Sequence, residues 1–503
     1  MLATRSSHSP TLREIRMQDH SSCGLISPTM ISDQKSSHCA GPVSRRSFLE
    51  VGGVSMLGLG LSDVLRYEAA AKEVGKLVDK DTSVIFVWLP GGPPHMETYD
   101  MKPEAPSEYR GDFRPIKTNV PGIEVCELLP MHAKIADKYT LIRSIHHSFA
   151  DHGGGHKRVM TGRIPATPTG TVNDAPSVTS IVKRMLSQGK SDLPTCVAEV
   201  DSGRGGIDTF AMGPAYLGAS TSPFVISGDP SSKDFKVSNI GVKAEMESRL
   251  DDRLTMLKGM DRLRRRADKS GVMNAMDSFN AQAMDMLMSE KVRDAFDLSK
   301  EPAKLRDRYG WHRYGQRAIL GRRLVEAGCR FVTMVWEKPD SKSPKNSTYN
   351  WDSHAVNAHI FDDCRWRLPY YDQALTALIE DLYARGLDKK VLLVATGEFG
   401  RTPKLTVRRG TQTGVMQPGR DHWPQAMSVL VSGGGMRTGQ VIGATNSKGE
   451  HPVERVLTPN DLWASVYTHL GIDHQTILYD LQNRPMPILP FGKPIPEIMP
   501  IPA

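Results

Sequence analysis

The 503-residue sequence has few of the features that assign a chain to a class directly. Aromatic residues make up 7% of it and do not interleave with the basic residues, so nothing indicates a nucleic-acid-binding surface. There are six cysteines, widely spaced and without a CxxC pair, which leaves disulfide pairing open. No run after Leu65 is long and apolar enough to span a membrane, and no internal repeat is present.

An export signal is predicted near the N-terminus. Arg45 and Arg46 are followed one residue later by Phe-Leu and then by a glycine-rich apolar stretch that ends near Leu65. That stretch has the length of a signal peptide core, and Ala69-Ala70-Ala71 supplies small residues for cleavage after Ala71. We therefore expect a leader over residues 1–71, a functional domain over residues 72–503, and twin-arginine export to the periplasm or cell envelope.

The formal net charge of +8 is spread along the mature part of the chain. The one dense basic run, residues 262–266, lies in a predicted helix and is typical of a solvated face. Diffuse positive charge is compatible with anionic substrates or an anionic envelope and proves neither.

The pattern of apolar runs predicts an α/β fold. Short runs rich in β-branched residues are typical of strands buried on both faces of a mostly parallel sheet. The predicted strands are Ser83–Leu89, Thr140–Ile145, Thr195–Val200, Arg330–Trp336, Val391–Ala395 and Met427–Val431. Helices are predicted between them, at Ala374–Arg385 and Pro459–Leu470, each followed by a glycine. The charged, methionine-rich segment 242–298 is predicted to be a helical insertion that packs over this core.

Histidines and glycines are concentrated in residues 146–163, directly after a predicted strand. We interpret the segment as a loop in which three glycines bare backbone amides toward an anion. His152 lies within it, and Lys157 and Arg158 suit phosphate or sulfate. The first predicted strand also ends in a turn, at Gly91-Gly92, that leads to Asp100; taken alone, this turn favours a structural role.

Three further segments offer metal ligands. In an extended segment Asp352 and His354 point to the same side, because side chains alternate with period two. Glu398 follows a predicted strand, and Asp421 and His422 precede another. Carboxylates and imidazoles gathered at strand ends are how a metal hydrolase collects its ligands.

These segments, in this order, resemble an exported sulfatase-like family known as domain of unknown function 1501. The resemblance covers nearly the whole chain, and its marks include His152 to Arg163, Trp351-Asp352-Ser353-His354, Gly397 to Arg401, and Gly419 to Trp423. It implies a three-layer core like that of alkaline phosphatases and sulfatases. It also implies a divalent metal (zinc, calcium, magnesium or manganese) and a phosphate or sulfate ester as substrate.

The chain departs from that pattern in its reacting group. The position of the superfamily nucleophile falls on His152, with no serine, threonine or cysteine there, and Glu398-Phe399 replaces an Asp-His pair. The resemblance therefore implies a metal site more firmly than a covalent mechanism. The expected metal ligands are Asp100, Asp352, His354, Glu398, Asp421 and His422, and the expected catalytic or anion-holding residues are His152, Lys157, Arg158 and Arg401.

Two functions follow from this set. The first is a metal-dependent hydrolase of phosphate or sulfate esters in which metal-activated water replaces the missing nucleophile. The second is a catalytically inactive relative that binds anionic polysaccharide or serves as an envelope scaffold. Both imply an anionic small molecule or polysaccharide as partner, and neither implies nucleic acid or a stable membrane span. The sequence does not give the oligomeric state.

Overall fold

The computed structural model describes residues 81–500 apart from 188–192, 203, 205–208, 236 and 238–288. These residues belong to the compact unit Gly75–Ala503. The predicted signal and most of the predicted insertion 242–298 lie outside the described residues. Within that part of the chain no helix is long and apolar enough to cross a membrane.

The described residues contain eight α-helices and eighteen strands, which are numbered in chain order. The helices are α1 Pro130–Lys134, α2 His152–Thr161, α3 Val178–Leu186, α4 Glu290–Phe296, α5 Ala303–Tyr309, α6 Arg313–Ala327, α7 Ile360–Ala384 and α8 Pro459–His469. The strands are β1 Ser83–Trp88, β2 Pro115–Lys117, β3 Glu124–Cys126, β4 Tyr139–Ile145, β5 Cys196–Val200, β6 Phe224–Ser227, β7 Phe331–Val335, β8 Val391–Thr396, β9 Gly400–Arg401, β10 Thr406–Arg409, β11 Met416–Gly419, β12 His422–Trp423, β13 Met427–Gly433, β14 Gln440–Ile442, β15 Ala444–Thr445, β16 Pro452–Glu454, β17 Ile477–Tyr479 and β18 Pro485–Pro487.

Eight strands form one central sheet in the order β14-β4-β13-β8-β1-β7-β5-β6. Seven of them run in the same direction, and β13 is antiparallel to both of its neighbours. The carboxyl ends of β1, β4, β7 and β8 therefore lie at the same edge as the amino end of β13. Open α/β sheets place their ligands at this edge.

Helices cover both faces of the sheet, which gives three layers. Alternate residues of β1 point to opposite faces, as the pleat requires. Ile85 and Val87 join one apolar core with α6 and α7, while Phe86 joins the other with α3 and α8. Burial on both faces explains why these strands have continuous apolar sequences.

The predicted strands are confirmed as members of the central sheet, and the mostly parallel α/β architecture is confirmed with them. Two short edge strands, β6 and β14, were not predicted, because each has only three or four residues. The four described cysteines, Cys126, Cys196, Cys329 and Cys364, are buried and free. α4 occupies part of the C-terminal end of the predicted insertion.

The structure contradicts the glycine loop predicted for residues 146–163. Residues 152–161 form α2, and Asp151 caps its start by accepting a hydrogen bond from the Gly154 amide at 3.2 Å. The glycines allow the helix to approach its neighbours closely. A Cβ at Gly155 would lie 3.0 Å from the Phe399 ring, so a larger residue would push α2 away from the end of β8.

Candidate metal centre

Four side chains from three separate segments meet at the ligand-binding edge of the sheet. His152 begins α2, Asp352 and His354 lie in the connection between β7 and α7, and His422 begins β12, just before β13. One potential ligand atom from each lies within 4.8 Å of those of the other three. The structure thus brings these residues together, as the strand-end placement predicts; that they hold a metal stays a prediction.

Three imidazole nitrogens converge on one oxygen, Oδ1 of Asp352. The Nε2 atom of His354 lies 2.8 Å from it, that of His422 lies 3.1 Å from it, and that of His152 lies 3.4 Å from it. Three nitrogens and one carboxylate oxygen make up the number of ligands that a tetrahedral divalent cation requires.

Each of these three rings also has its other nitrogen bonded to an oxygen. The Nδ1 atom of His152 lies 2.7 Å from Glu398 Oε1, and that of His354 lies 2.9 Å from Asp421 Oδ1. The Nδ1 atom of His422 lies 2.7 Å from the carbonyl oxygen of Ala150. Metal-binding histidines usually have such outer acceptors, which fix the ring orientation and raise the basicity of the free nitrogen.

The outer acceptors also settle where the protons lie when the rings are neutral. A carbonyl oxygen cannot donate, so the Nδ1 of His422 carries the hydrogen and its Nε2 presents a lone pair. The carboxylate of Asp421 has the same effect on His354. Two Nε2 lone pairs that face each other at 2.8 Å repel unless a proton or a cation lies between them. The donor set therefore fits a divalent cation.

Asp352 is held by a buried arginine. The Nη2 atom of Arg401 donates to Asp352 Oδ1 at 2.6 Å, and Asn357 donates to Oδ2 at 3.1 Å. Burial raises the pKa of Asp352, but the contacts with the three histidines and the charge of Arg401 outweigh it and hold that pKa well below its usual range. Asp352 is therefore ionised at any physiological pH.

Gly91, in the turn after β1, allows this packing. Gly91 has φ +105°, and a Cβ there would lie 2.5 Å from the backbone nitrogen of Asp352. Its own amide donates to both oxygens of Glu398, at 2.9 and 3.1 Å. Positive φ and close backbone approach are the two conditions that favour glycine. The turn that we interpreted as structural thus positions two carboxylates of the site.

Glu398 forms a second group with His156, which is also buried, and with the partly exposed His152. Its Oε1 lies 3.1 Å from the Nε2 atom of His156 in addition to its contact with His152. Burial raises the pKa of Glu398, whereas the charges and hydrogen bonds of these two histidines lower it further, so the group is a carboxylate. For His152, burial lowers the pKa, and the hydrogen bonds to Asp352 and Glu398 raise it to about 10.

Sequence reasoning missed His156 and His147. His156 lies one helical turn after His152 and on the same face of α2. This spacing was not recognised because the three glycines between them favoured a loop. His147 donates from Nε2 to the carbonyl oxygen of Glu398 at 2.5 Å, and burial lowers its pKa to about 4. It is a neutral support for the Glu398 backbone.

Lys157 and Arg158, which were predicted to hold an anion, lie away from the four converging side chains. α2 rotates about 100° per residue, so these side chains leave the face that carries His152. The Nζ atom of Lys157 donates to the carbonyl oxygens of Thr167 and Thr169, at 2.8 and 3.3 Å. Arg158 is buried with its guanidinium 5.6 Å from the Phe491 ring.

Asp100 and Arg401 also occupy other positions than predicted. Asp100 lies 2.9 Å from the Nζ of Lys102 and accepts from Thr445, so it is not among the four converging ligands. Arg401 is fully buried, and apart from Asp352 it donates to backbone carbonyl oxygens, including that of Gly92 at 2.9 Å. It positions Asp352 and has no donor exposed to a substrate anion.

The family model described as "Protein of unknown function (DUF1501)" matches residues 81–499. The chain belongs to this DUF1501 family. The match spans every residue of the candidate metal centre, and it agrees with the resemblance given by the sequence motifs. A comparison with curated proteins finds no match.

Solved structures of the sulfatase and alkaline phosphatase kind are similar to this member of the DUF1501 family at low identity. Ps i-CgsB in complex with k-i-k-neocarrahexaose has 11% identity and a TM-score of 0.35, over 78% of this chain and 72% of that one. The PsFucS1 sulfatase from Pseudoalteromonas sp. has 11% identity and a TM-score of 0.34, over 80% and 71%. A variant of the TAB5 alkaline phosphatase with Mg bound has 11% identity and a TM-score of 0.31, over 71% and 93%.

Proposed function

We propose that this protein is a metal-dependent hydrolase of phosphate or sulfate esters. The observation that supports it best is the convergence of three Nε2 atoms on Asp352, with every Nδ1 already bonded to an oxygen. A carboxylate–histidine pair that only stabilises the fold needs one such contact, and this site has three around a single oxygen.

The donor set favours Zn²⁺ among the cations that the sequence suggests. Imidazole nitrogens suit Zn²⁺, whereas Ca²⁺ and Mg²⁺ prefer six or more oxygen ligands. His152, His354, His422 and Asp352 would hold the ion, and Glu398 and Asp421 would orient two of the rings. A bound divalent cation supplies Lewis-acid chemistry and lowers the pKa of water toward neutrality.

Water is the proposed nucleophile. Among the described residues no hydroxyl or thiol side chain is hydrogen-bonded to any of the four ligands. Ser353, between Asp352 and His354, turns its hydroxyl instead to Asp363, 3.3 Å away. Asp352 contributes fixed negative charge, and the partly exposed His152 with the buried Glu398 contributes a site that holds a proton.

The lack of a side-chain nucleophile at the position of His152 also supports a second candidate function. A relative that binds an anionic polysaccharide without cleaving it would keep the metal-binding side chains and the fold. We propose for either function that the partner is an anionic ester or polysaccharide and that the chain works in the periplasm or cell envelope, because Arg45-Arg46 and the apolar stretch after them have the order of a twin-arginine signal.

The test compares the full-length protein with two histidine variants. His422→Ala removes a proposed ligand, and His451→Ala removes an exposed histidine whose ring makes no hydrogen bond within the described part of the chain. We expect about one zinc ion per chain in the parent and in His451→Ala, little zinc in His422→Ala, and hydrolysis of 4-nitrophenyl phosphate or 4-nitrophenyl sulfate that follows the zinc content. Zinc without hydrolysis of either ester supports the binding protein, and equal metal content in all three proteins overturns the site.

A further inference from the structure

A basic pocket lies among the residues that follow β1, outside the candidate metal centre. It is a cavity of 310 Å³ whose polar lining includes Lys102, Ser107, Arg110, Asp112 and Arg114. Small-molecule sites span about 300–1,000 Å³, so this one suits a single charged unit better than a longer segment.

The positive charge of the pocket is largely uncompensated. Asp112 is paired with Arg365 at 3.2 Å, and Lys102 is paired with Asp100 at 2.9 Å. The guanidinium groups of Arg110 and Arg114 have no hydrogen-bond or ion-pair partner in the described part of the chain. Arginine presents several N–H donors in a planar fork that matches phosphate and sulfate oxygens.

Direct contacts connect this pocket to the candidate metal centre. Arg420 donates to the carbonyl oxygen of Tyr109 at 2.7 Å, and Tyr109 immediately precedes Arg110. Arg420 also bonds to Glu97 at 2.7 Å, and a Cβ at Gly111 would lie 2.7 Å from the same Glu97 oxygen. Asp421 and His422 directly follow Arg420. The pocket wall and the segment that supplies one proposed ligand are therefore a single packed unit.

We propose that this pocket binds a second sulfate or phosphate group of a substrate that carries several, such as a polyanionic chain. The proposal rests on the proposed function in that the first group of the same chain would lie at the metal centre. The substrate is then a polymer with repeated charged groups, because a single small ester would leave the pocket and its two unpaired arginines unused.

The test measures binding of dextran sulfate and of polyphosphate to the full-length protein, with unsubstituted dextran as the neutral probe. Arg110→Ala/Arg114→Ala removes the two unpaired charges. Lys304→Ala/Lys389→Ala removes two exposed charges elsewhere and keeps the same net charge as the first variant. Because the arginine variant loses two groups that could make charge-assisted hydrogen bonds, we expect at least about tenfold weaker polyanion binding in that variant alone.

The possible outcomes distinguish a failure of the pocket proposal from a failure of the proposed hydrolase function. Equal weakening in both double variants shows that diffuse charge attracts the polymer, and unchanged binding in the arginine variant likewise overturns the pocket. If the protein hydrolyses neither ester but the arginine variant alone loses polymer binding, the pocket proposal is supported and the hydrolase proposal is rejected. Under the proposal, the arginine variant of an active enzyme raises KM for the polymer and leaves kcat/KM for 4-nitrophenyl sulfate or 4-nitrophenyl phosphate unchanged.

Discussion

The Nε2 atoms of His354 and His422 lie 2.8 Å apart, although both rings have their Nδ1 atoms bonded to oxygen acceptors. Neutral rings in this arrangement direct two lone pairs at each other. The contact is stable only with a proton or a cation between the nitrogens, and a cation there is the basis of the expectations for Asp421, Gly91 and His152.

Asp421→Ala is expected to weaken zinc binding about 10- to 100-fold, because the Nδ1 atom of His354 loses its acceptor and the ring loses its orientation. Competition with a fluorescent zinc chelator measures the affinity. Asp294→Ala is the control, since Asp294 is a similarly exposed carboxylate paired with Lys300. Equal affinities in the two variants would show that Asp421 does not support the site.

Gly91→Ala is expected to lower both stability and zinc content, because the new Cβ would lie 2.5 Å from the backbone nitrogen of Asp352. Gly122→Ala isolates the backbone effect: Gly122 has φ +85° with nothing within 4 Å of its Cβ position. We expect Gly122→Ala to cost about 1–2 kcal/mol of unfolding free energy with zinc retained. Thermal unfolding measures the stability of both variants, and metal analysis measures their zinc content. A full complement of zinc in Gly91→Ala would contradict the expected loss.

Zinc binding is expected to release a proton from His152. Burial lowers the pKa of His152 in the metal-free protein, but its hydrogen bonds to Asp352 and Glu398 raise it to about 10, so the ring is protonated at pH 8. A ligand must be neutral, so zinc affinity rises with pH up to that pKa. Calorimetry in buffers of different ionisation enthalpy counts the proton. If His152→Ala releases the same number of protons on zinc binding, His152 is not their source.

Stability is expected to fall as pH drops from 6.5 toward 4, partly through His312. Burial lowers the pKa of His312 to about 4, whereas the unfolded chain takes up that proton near pH 6.5. The unfolded state therefore binds more protons in this window, and at pH 5 the effect is about 2 kcal/mol. His312→Asn keeps an acceptor for the Gly315 amide and removes the titration. Urea unfolding at pH 5 and pH 7.5 should show a smaller difference in that variant than in the parent, and an equal difference would refute the assignment.

Replacing Arg45 and Arg46 with lysine is expected to leave precursor in the cytoplasm, because the twin-arginine route recognises the arginine pair. Fractionation of a bacterial host followed by immunoblotting locates the chain. Normal processing of the lysine variant would contradict this route.

The sheet could be predicted from sequence because continuous apolar runs identify strands buried on both faces, and each run found its place. The reversed direction of β13 could not, since its composition matches that of a parallel strand. α2 was missed because three consecutive glycines weaken the helical signal, while Asp151, a strong N-cap residue, was available in the sequence.

The members of the candidate site were easier to predict than their individual roles. Asp352, His354 and His422 follow from residue type and from their position at strand ends. The direction of Lys157 depends on the rotation of a helix that was interpreted as a loop. Arg401 was expected to face an anion, but the carbonyl oxygens that it bonds belong to turns distant in sequence, which no local pattern reveals.

The residues of the proposed site are far apart along the chain: Asp352 and His422 are separated by 70 residues, and His152 contacts Glu398 across 246. An unfolded chain cannot hold one ion with all of them, so metal capture requires an assembled sheet. If the chain folds before it is exported, the ion that it carries is bound in the cytoplasm. The compartment in which the chain folds, rather than the one in which it functions, would then determine which metal it binds.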